Sequence, residues 1–170
     1  MNIIRTKQDI LKGYETIKVI IDAMLNKYSV AFEASLNAPS TYKAMSQSFD
    51  DTGKFIVYNG GDHGLLGEEY NVKFRALHDA MHYKYNLSFK FEDEKKLSNI
   101  TANEFYKYAY DNLDATHFEI VVIRDIIDAE IKGQIEYYEQ NKEYVKDQSS
   151  FILNHLNIAW HNAKSLIKWL

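Results

Sequence analysis

The punctuation of this chain is concentrated in one place. Pro39 is its only proline, and five of its seven glycines (Gly53, Gly60, Gly61, Gly64, Gly67) fall within residues 53–67. Glycine and proline interrupt regular structure, so most of the remaining sequence is free to be helix. Across residues 7–32, Ile10, Leu11, Tyr14, Ile17, Ile20, Ile21, Met24, Leu25 and Tyr28 recur at steps of three and four, the period of an amphipathic helix. Residues 37–40 break the chain, and residues 42–49 hold a short helical turn. The segment 54–58 (KFIVY) reads as a strand, short, β-branched and aromatic, ended by Asn59, Gly60 and Gly61.

Four further helical segments follow. Asn71 caps a helix to about residue 85, and Glu92, Asp93 and Glu94 suit the positive end of the next helix dipole, which runs to about residue 113. Asp114 or Thr116 then caps residues 117–140, whose isoleucines make that helix central to the core. The last helical pattern spans residues 144–170. The expectation is a mainly α fold: a single helical domain over residues 1–170, with about five helices and a small irregular or β-hairpin insertion near residues 50–67.

Composition excludes whole classes of chemistry. The chain has no cysteine, which removes disulfides, thiolate zinc sites, iron–sulfur clusters and thiol catalysis. No apolar run reaches the roughly 18–20 residues of a membrane span, and the N-terminus builds no signal-peptide core, so a cytoplasmic protein with no membrane partner is expected. A formal net charge of −4 gives no broad basic footprint and argues against a nucleic-acid partner. The glycine-rich turn is neither GxGxxG nor a Walker loop, so nucleotide binding has no support.

The chemical cue is a histidine pair. In F74-R75-A76-L77-H78-D79-A80-M81-H82, His78 and His82 lie four apart on the expected helix, with both rings on one side. This is the ligand spacing of a zincin helix, and imidazole suits zinc, manganese or iron. Asp79 stands where a zincin carries its general-base Glu; one methylene shorter, it can pair with Arg75, ligate the metal, or act as the base. Gly133 lies inside the most apolar helix, where glycine costs about 1 kcal/mol relative to alanine. A close crossing with the histidine helix would explain it, turning Glu130, Gln134 and Tyr137 toward the site. That gives His78, His82 and Glu130 as ligands to a divalent metal, with Asp79 or Glu130 as catalytic base. His63, in G60-G61-D62-H63-G64, is a further candidate ligand with Asp62 as its orienter. The bland alternative makes His78 and His82 partly buried polar residues bonded to backbone or tyrosine, leaves His63 and Glu130 exposed, and attributes His155 and His161 to packing.

Two resemblances bear on this cue. The FRxxHDxxH pattern (Phe74, Arg75, His78, Asp79, His82), the acidic helix start (Glu92, Asp93, Glu94), the acidic-x-x-G-Q-x-x-Y pattern (Glu130, Gly133, Gln134, Tyr137) and a tail with Val145, Gln148, Phe151 and Leu156 together resemble a loosely defined group of uncharacterised phage-encoded proteins. The resemblance covers roughly the second half of the chain, outside residues 1–58. It implies a phage origin, hence the cytoplasm of an infected bacterium. More faintly, A76-L77-H78-D79-A80-M81-H82 is similar to the metal-binding stretch of HD-domain phosphohydrolases. That likeness implies His63 and either Asp125 or Asp128 as companions to the His78/Asp79 pair, although His63 is close to His78 for that layout. The expectation is a metal-binding phage protein acting as a metal-dependent hydrolase on a small-molecule substrate. The alternative is a non-enzymatic helical interaction or virion protein, with a host or phage protein as partner; either is compatible with a homo-oligomer.

Overall fold

The computed structural model of the protein describes residues 6–157. The first helix, α1 (Lys7–Lys27), begins where the Thr6 side chain accepts from the Asp9 backbone N–H and the Asp9 carboxylate accepts from the Thr6 N–H. This reciprocal pair satisfies two donors that a helix start leaves unpaired. The helix stops at Lys27, short of residue 32, and the chain becomes strand β1 (Phe32–Ser35). Helix α2 (Tyr42–Thr52), capped by Thr41, leads to β2 (Phe55–Tyr58). The two strands pair in parallel, with Phe32 opposite Phe55 and Ser35 opposite Tyr58. The small insertion is therefore a β–α–β unit rather than a hairpin. A parallel pair requires a crossover connection, and α2 is that crossover.

Helix α3 (Gly67–Tyr85) starts five residues earlier than expected, so Asn71 is a buried interior residue and not a cap. It ends at Asn86, whose left-handed backbone (φ 52°) turns the chain back. Helix α4 (Phe91–Asn112) follows. Thr116 then caps α5 (His117–Asp128) through a second reciprocal pair, with Glu119. Residues Ala129–Gly133 form a π-helical turn that continues directly into α6 (Gln134–Asn141). Helix α7 (Gln148–His155) closes the described chain; the expected helix beyond it, with Trp160 and His161, lies outside the described residues.

The mainly helical architecture with a small insertion is as the periodicity implies. Helix α5 packs on both α1 and α4, and α3 packs on α1 and on β2. Their inward faces share one core that includes Ile10, Tyr14, Leu77, Met81, Leu97, Phe105, Ile123 and Ile127. Among the described residues no helix is long and apolar enough to cross a membrane.

Of the described glycines within helices, Gly13 leaves the least room for a Cβ, at a position the sequence pattern leaves unremarked. A Cβ there would lie 2.7 Å from Ile126 Cδ1 and 3.1 Å from Val122 Cγ1. Gly13→Ala gains about 1 kcal/mol of helix propensity against an overpacking cost of about 1–3 kcal/mol. Because both neighbours belong to the buried core, the expected outcome is net destabilisation, read as a lower urea midpoint with an unchanged m-value.

Candidate metal centre

Three side chains converge where the last turns of α3 meet the first turn of α4. The loop between these helices is tightly held: Leu87 N–H donates to His82 O (3.0 Å), and the Ser88 N–H and hydroxyl both donate to Asp93 Oδ2 (3.0 and 2.6 Å). This returns α4 alongside α3 and places Glu94 opposite the histidines. His78 Nε2 lies 3.0 Å from His82 Nε2 and 3.2 Å from Glu94 Oε2, while His82 Nε2 lies 3.2 Å from Glu94 Oε1. His82 is fully buried and Glu94 nearly so; the His78 side chain keeps 22% of its surface and forms the open edge of the group.

The donor chemistry fits a cation. His82 Nδ1 is 2.9 Å from the Leu87 carbonyl, which can only accept, so Nδ1 carries the proton and a neutral ring turns the Nε2 lone pair toward the cluster. Beside that lone pair stand a carboxylate and a second imidazole nitrogen, three atoms that can each ligate a cation. In a tetrahedral site with bonds of about 2.0–2.1 Å, ligand atoms are roughly 3.3–3.4 Å apart. The observed 3.0–3.2 Å is close to that spacing. Without an ion, only protons can separate these atoms. Burial opposes charge on His78, but the Glu94 carboxylate outweighs it and raises the His78 pKa. For His82, burial and then the charge of His78 lower it. Glu94 is also opposed by burial, yet the two histidines hold it well below the usual carboxylate range. His78 Nδ1 remains a buried atom with no hydrogen-bond partner among the described residues.

The other expected site residues are distributed differently. Glu130 is not a third ligand: it is buried in the π turn, where it accepts from the Tyr14 hydroxyl (2.5 Å) and Gln134 Nε2 (2.9 Å). Burial pushes its carboxyl up to about 7. Gly133 does not mark a crossing with α3 either, because a Cβ there would meet the His155 ring at 3.1 Å. His63 lies outside the converging group, which among the described residues consists of His78, His82 and Glu94. Its loop is tied to α7 instead, through Asp62 Oδ2 accepting from Gln148 N–H (2.7 Å). Asp125 and Asp128 are likewise outside the group. His117 and His155 are exposed.

Asp79 follows His78 on α3. It makes no hydrogen bond or ion pair with Arg75 or any other described residue, and burial raises its carboxyl to about 6. Arg75 instead donates from Nη1 to the carbonyls of Tyr58 (2.7 Å) and Gly60 (3.0 Å).

Glu94 is the member of the converging group that sequence reasoning passes over. A carboxylate in the first turn of a helix already has an explanation in the helix dipole, and its distance from the histidines depends on a turn whose geometry the spacing alone does not fix. Comparison with protein-family models, with curated proteins and with solved structures returned no match to this chain.

Proposed function

We propose that the protein binds one divalent metal ion, of the zinc, manganese or iron type, through His78, His82 and Glu94, and acts as a metal-dependent hydrolase. The observation that carries the reading is the convergence of two imidazole nitrogens and a carboxylate at 3.0–3.2 Å, one imidazole locked in the ligating tautomer by Leu87. When bound, such an ion supplies Lewis acidity and lowers the pKa of coordinated water toward about 7. Two imidazoles and one carboxylate leave coordination space, as catalytic sites require, on the side where His78 reaches the surface. Asp79 is the chain's own proton acceptor there: it follows a ligand in sequence, feels the charge of His78, and its carboxylate accepts no hydrogen bond from any described residue. Glu130 is reassigned from catalysis to the core, since both its oxygens are occupied by Tyr14 and Gln134. The phage origin and the cytoplasm of an infected bacterium remain part of the proposal, on the strength of the FRxxHDxxH pattern.

Elemental analysis of tag-free protein tests the reading. About one equivalent of metal per chain is expected, together with hydrolytic turnover on a panel of small esters and amides that a chelator abolishes and added metal restores. Protein that neither carries metal nor binds zinc, manganese or iron on titration would return the histidines to a structural role. Asp79→Asn is expected to keep its metal while losing about 10²–10⁴-fold in turnover, the usual contribution of a positioned general base.

A further inference from the structure

Arg75 lies one helical turn before His78, with a guanidinium only partly used by the protein. Both Nη1 hydrogens are committed to the carbonyls of Tyr58 and Gly60, and the group lies 5.6 Å from the centre of the Tyr58 ring. The end of β2 and the glycine-rich turn thus fix its position. The three remaining N–H groups, on Nε and Nη2, have no hydrogen-bond or ion-pair partner among the described residues. Half-buried arginine usually meets a carboxylate. Here Asp79 and Glu130 are near enough to feel its charge, yet neither pairs with it.

The Nε and Nη2 hydrogens of a guanidinium form the planar fork that receives carboxylate or phosphate through two parallel hydrogen bonds. A fork held by its opposite edge loses little freedom on binding. Arg75 and His78 are three residues apart on α3, so their side chains leave the same side of the helix one turn apart, and Asp79 feels the charge of both. We propose that the Nε–Nη2 edge of Arg75 anchors an oxyanion of the substrate, a carboxylate or a phosphoryl group, beside the metal centre. This rests on the metal reading, because a bound dication is what offsets the acidic side chains of Asp79 and Glu94 toward an incoming anion.

The test is a titration followed by NMR at the Arg75 Nε–H resonance, assigned by its loss in Arg75→Lys. Inorganic phosphate and acetate are titrated separately into zinc-loaded protein. A saturable shift is expected with at least one anion, and affinity measured by calorimetry is expected to fall at least 10-fold in Arg75→Lys while zinc stoichiometry stays at the wild-type level. Saturation by phosphate alone supports a phosphoryl ligand, by acetate alone a carboxylate, and by both the shared oxyanion chemistry. No saturable shift with either anion, or equal affinity in Arg75→Lys, overturns the inference, while the zinc stoichiometry measures the metal centre independently. Should the protein bind no metal, the metal reading fails by itself, and the same titrations of metal-free protein judge Arg75: saturation supports the anchor and its absence overturns it.

Discussion

Adding a chelator to the metal-loaded protein is expected to lower its melting temperature, and Glu94→Gln is expected to abolish that response. Binding that is confined to the folded state stabilises it by about 4 kcal/mol when free metal is 1,000 times the dissociation constant. Glu94→Gln replaces an anionic ligand by a neutral amide. Loss of supporting interactions around a metal typically costs about 10–100-fold in affinity, so losing a ligand is expected to cost at least about 100-fold. The variant is informative because it is nearly isosteric and its amide can donate to the His82 Nε2 lone pair, 3.2 Å from the present Oε1. Metal-free Glu94→Gln loses the attraction between the Glu94 carboxylate and His78 and is expected to melt somewhat below metal-free wild type, so the comparison is of each protein's own response to chelator. An equal chelator response in the two proteins would count against Glu94 as a ligand. Metal affinity also carries a pH signature: imidazole must be neutral to ligate, so affinity falls as pH drops through the His78 titration, which Glu94 places above the ordinary histidine value.

The second large effect belongs to Glu130. Its folded-state pKa is raised from 4.5 to about 7 by burial, so the folded protein holds a proton that the unfolded chain releases. Below about pH 4.5 this group is protonated in both states and contributes no pH dependence. As pH rises through 4.5 the unfolded chain ionises first, and stability declines until the folded carboxyl also ionises near pH 7, after which the loss is constant. A shift of this size corresponds to roughly 3 kcal/mol at most. Glu130→Gln preserves the hydrogen bond from Tyr14, and rotation of the Gln134 amide restores the other. Relative to wild type, the variant is expected to gain progressively between pH 5 and pH 8, reaching about 2–3 kcal/mol. Urea unfolding of both proteins across this range checks the prediction, since the other carboxyl groups are common to the two curves. A wild-type-minus-variant difference that does not change with pH would show that Glu130 titrates as an ordinary surface acid.

Much of this fold is legible in the sequence because local signals and tertiary outcome agree. The three- and four-residue spacing of Ile10, Tyr14, Ile17 and Ile21 is the spacing of the buried face of α1, and Thr116 caps α5 as its residue type suggests. Two of the three residues of the candidate centre are legible for the same reason, since i,i+4 spacing on a helix is itself a statement about where two side chains lie. The rest depends on contacts between distant segments. The expected first helix runs on to about residue 32, whereas the chain leaves α1 at Lys27 and Phe32 already begins β1, a strand defined by its pairing with Phe55–Tyr58. Gly133 suggests a crossing, but its neighbour is the imidazole of His155; the helical glycine with the least room for a Cβ is Gly13, whose neighbours are more than a hundred residues away. Glu130 is an unusual carboxylate, as its setting in an apolar helix implies, but not a ligand, because a buried acid can be satisfied by a tyrosine as well as by a metal.

The π turn at Ala129–Gly133 has a consequence for how length variation can be tolerated here. A π turn accommodates one residue more than the α-helical path it interrupts. Deleting Lys132 would let α5 and α6 run as one uninterrupted α-helix while the residues after the deletion keep nearly the same face, because the π turn spends one more residue on a single turn than the α path does. Gln134 would still lie one turn from Glu130, and Tyr137 would stay on the face where it meets Phe151. Loss of one residue here is thus absorbed within the helix, whereas the same deletion inside α5 would rotate everything after it by about 100°.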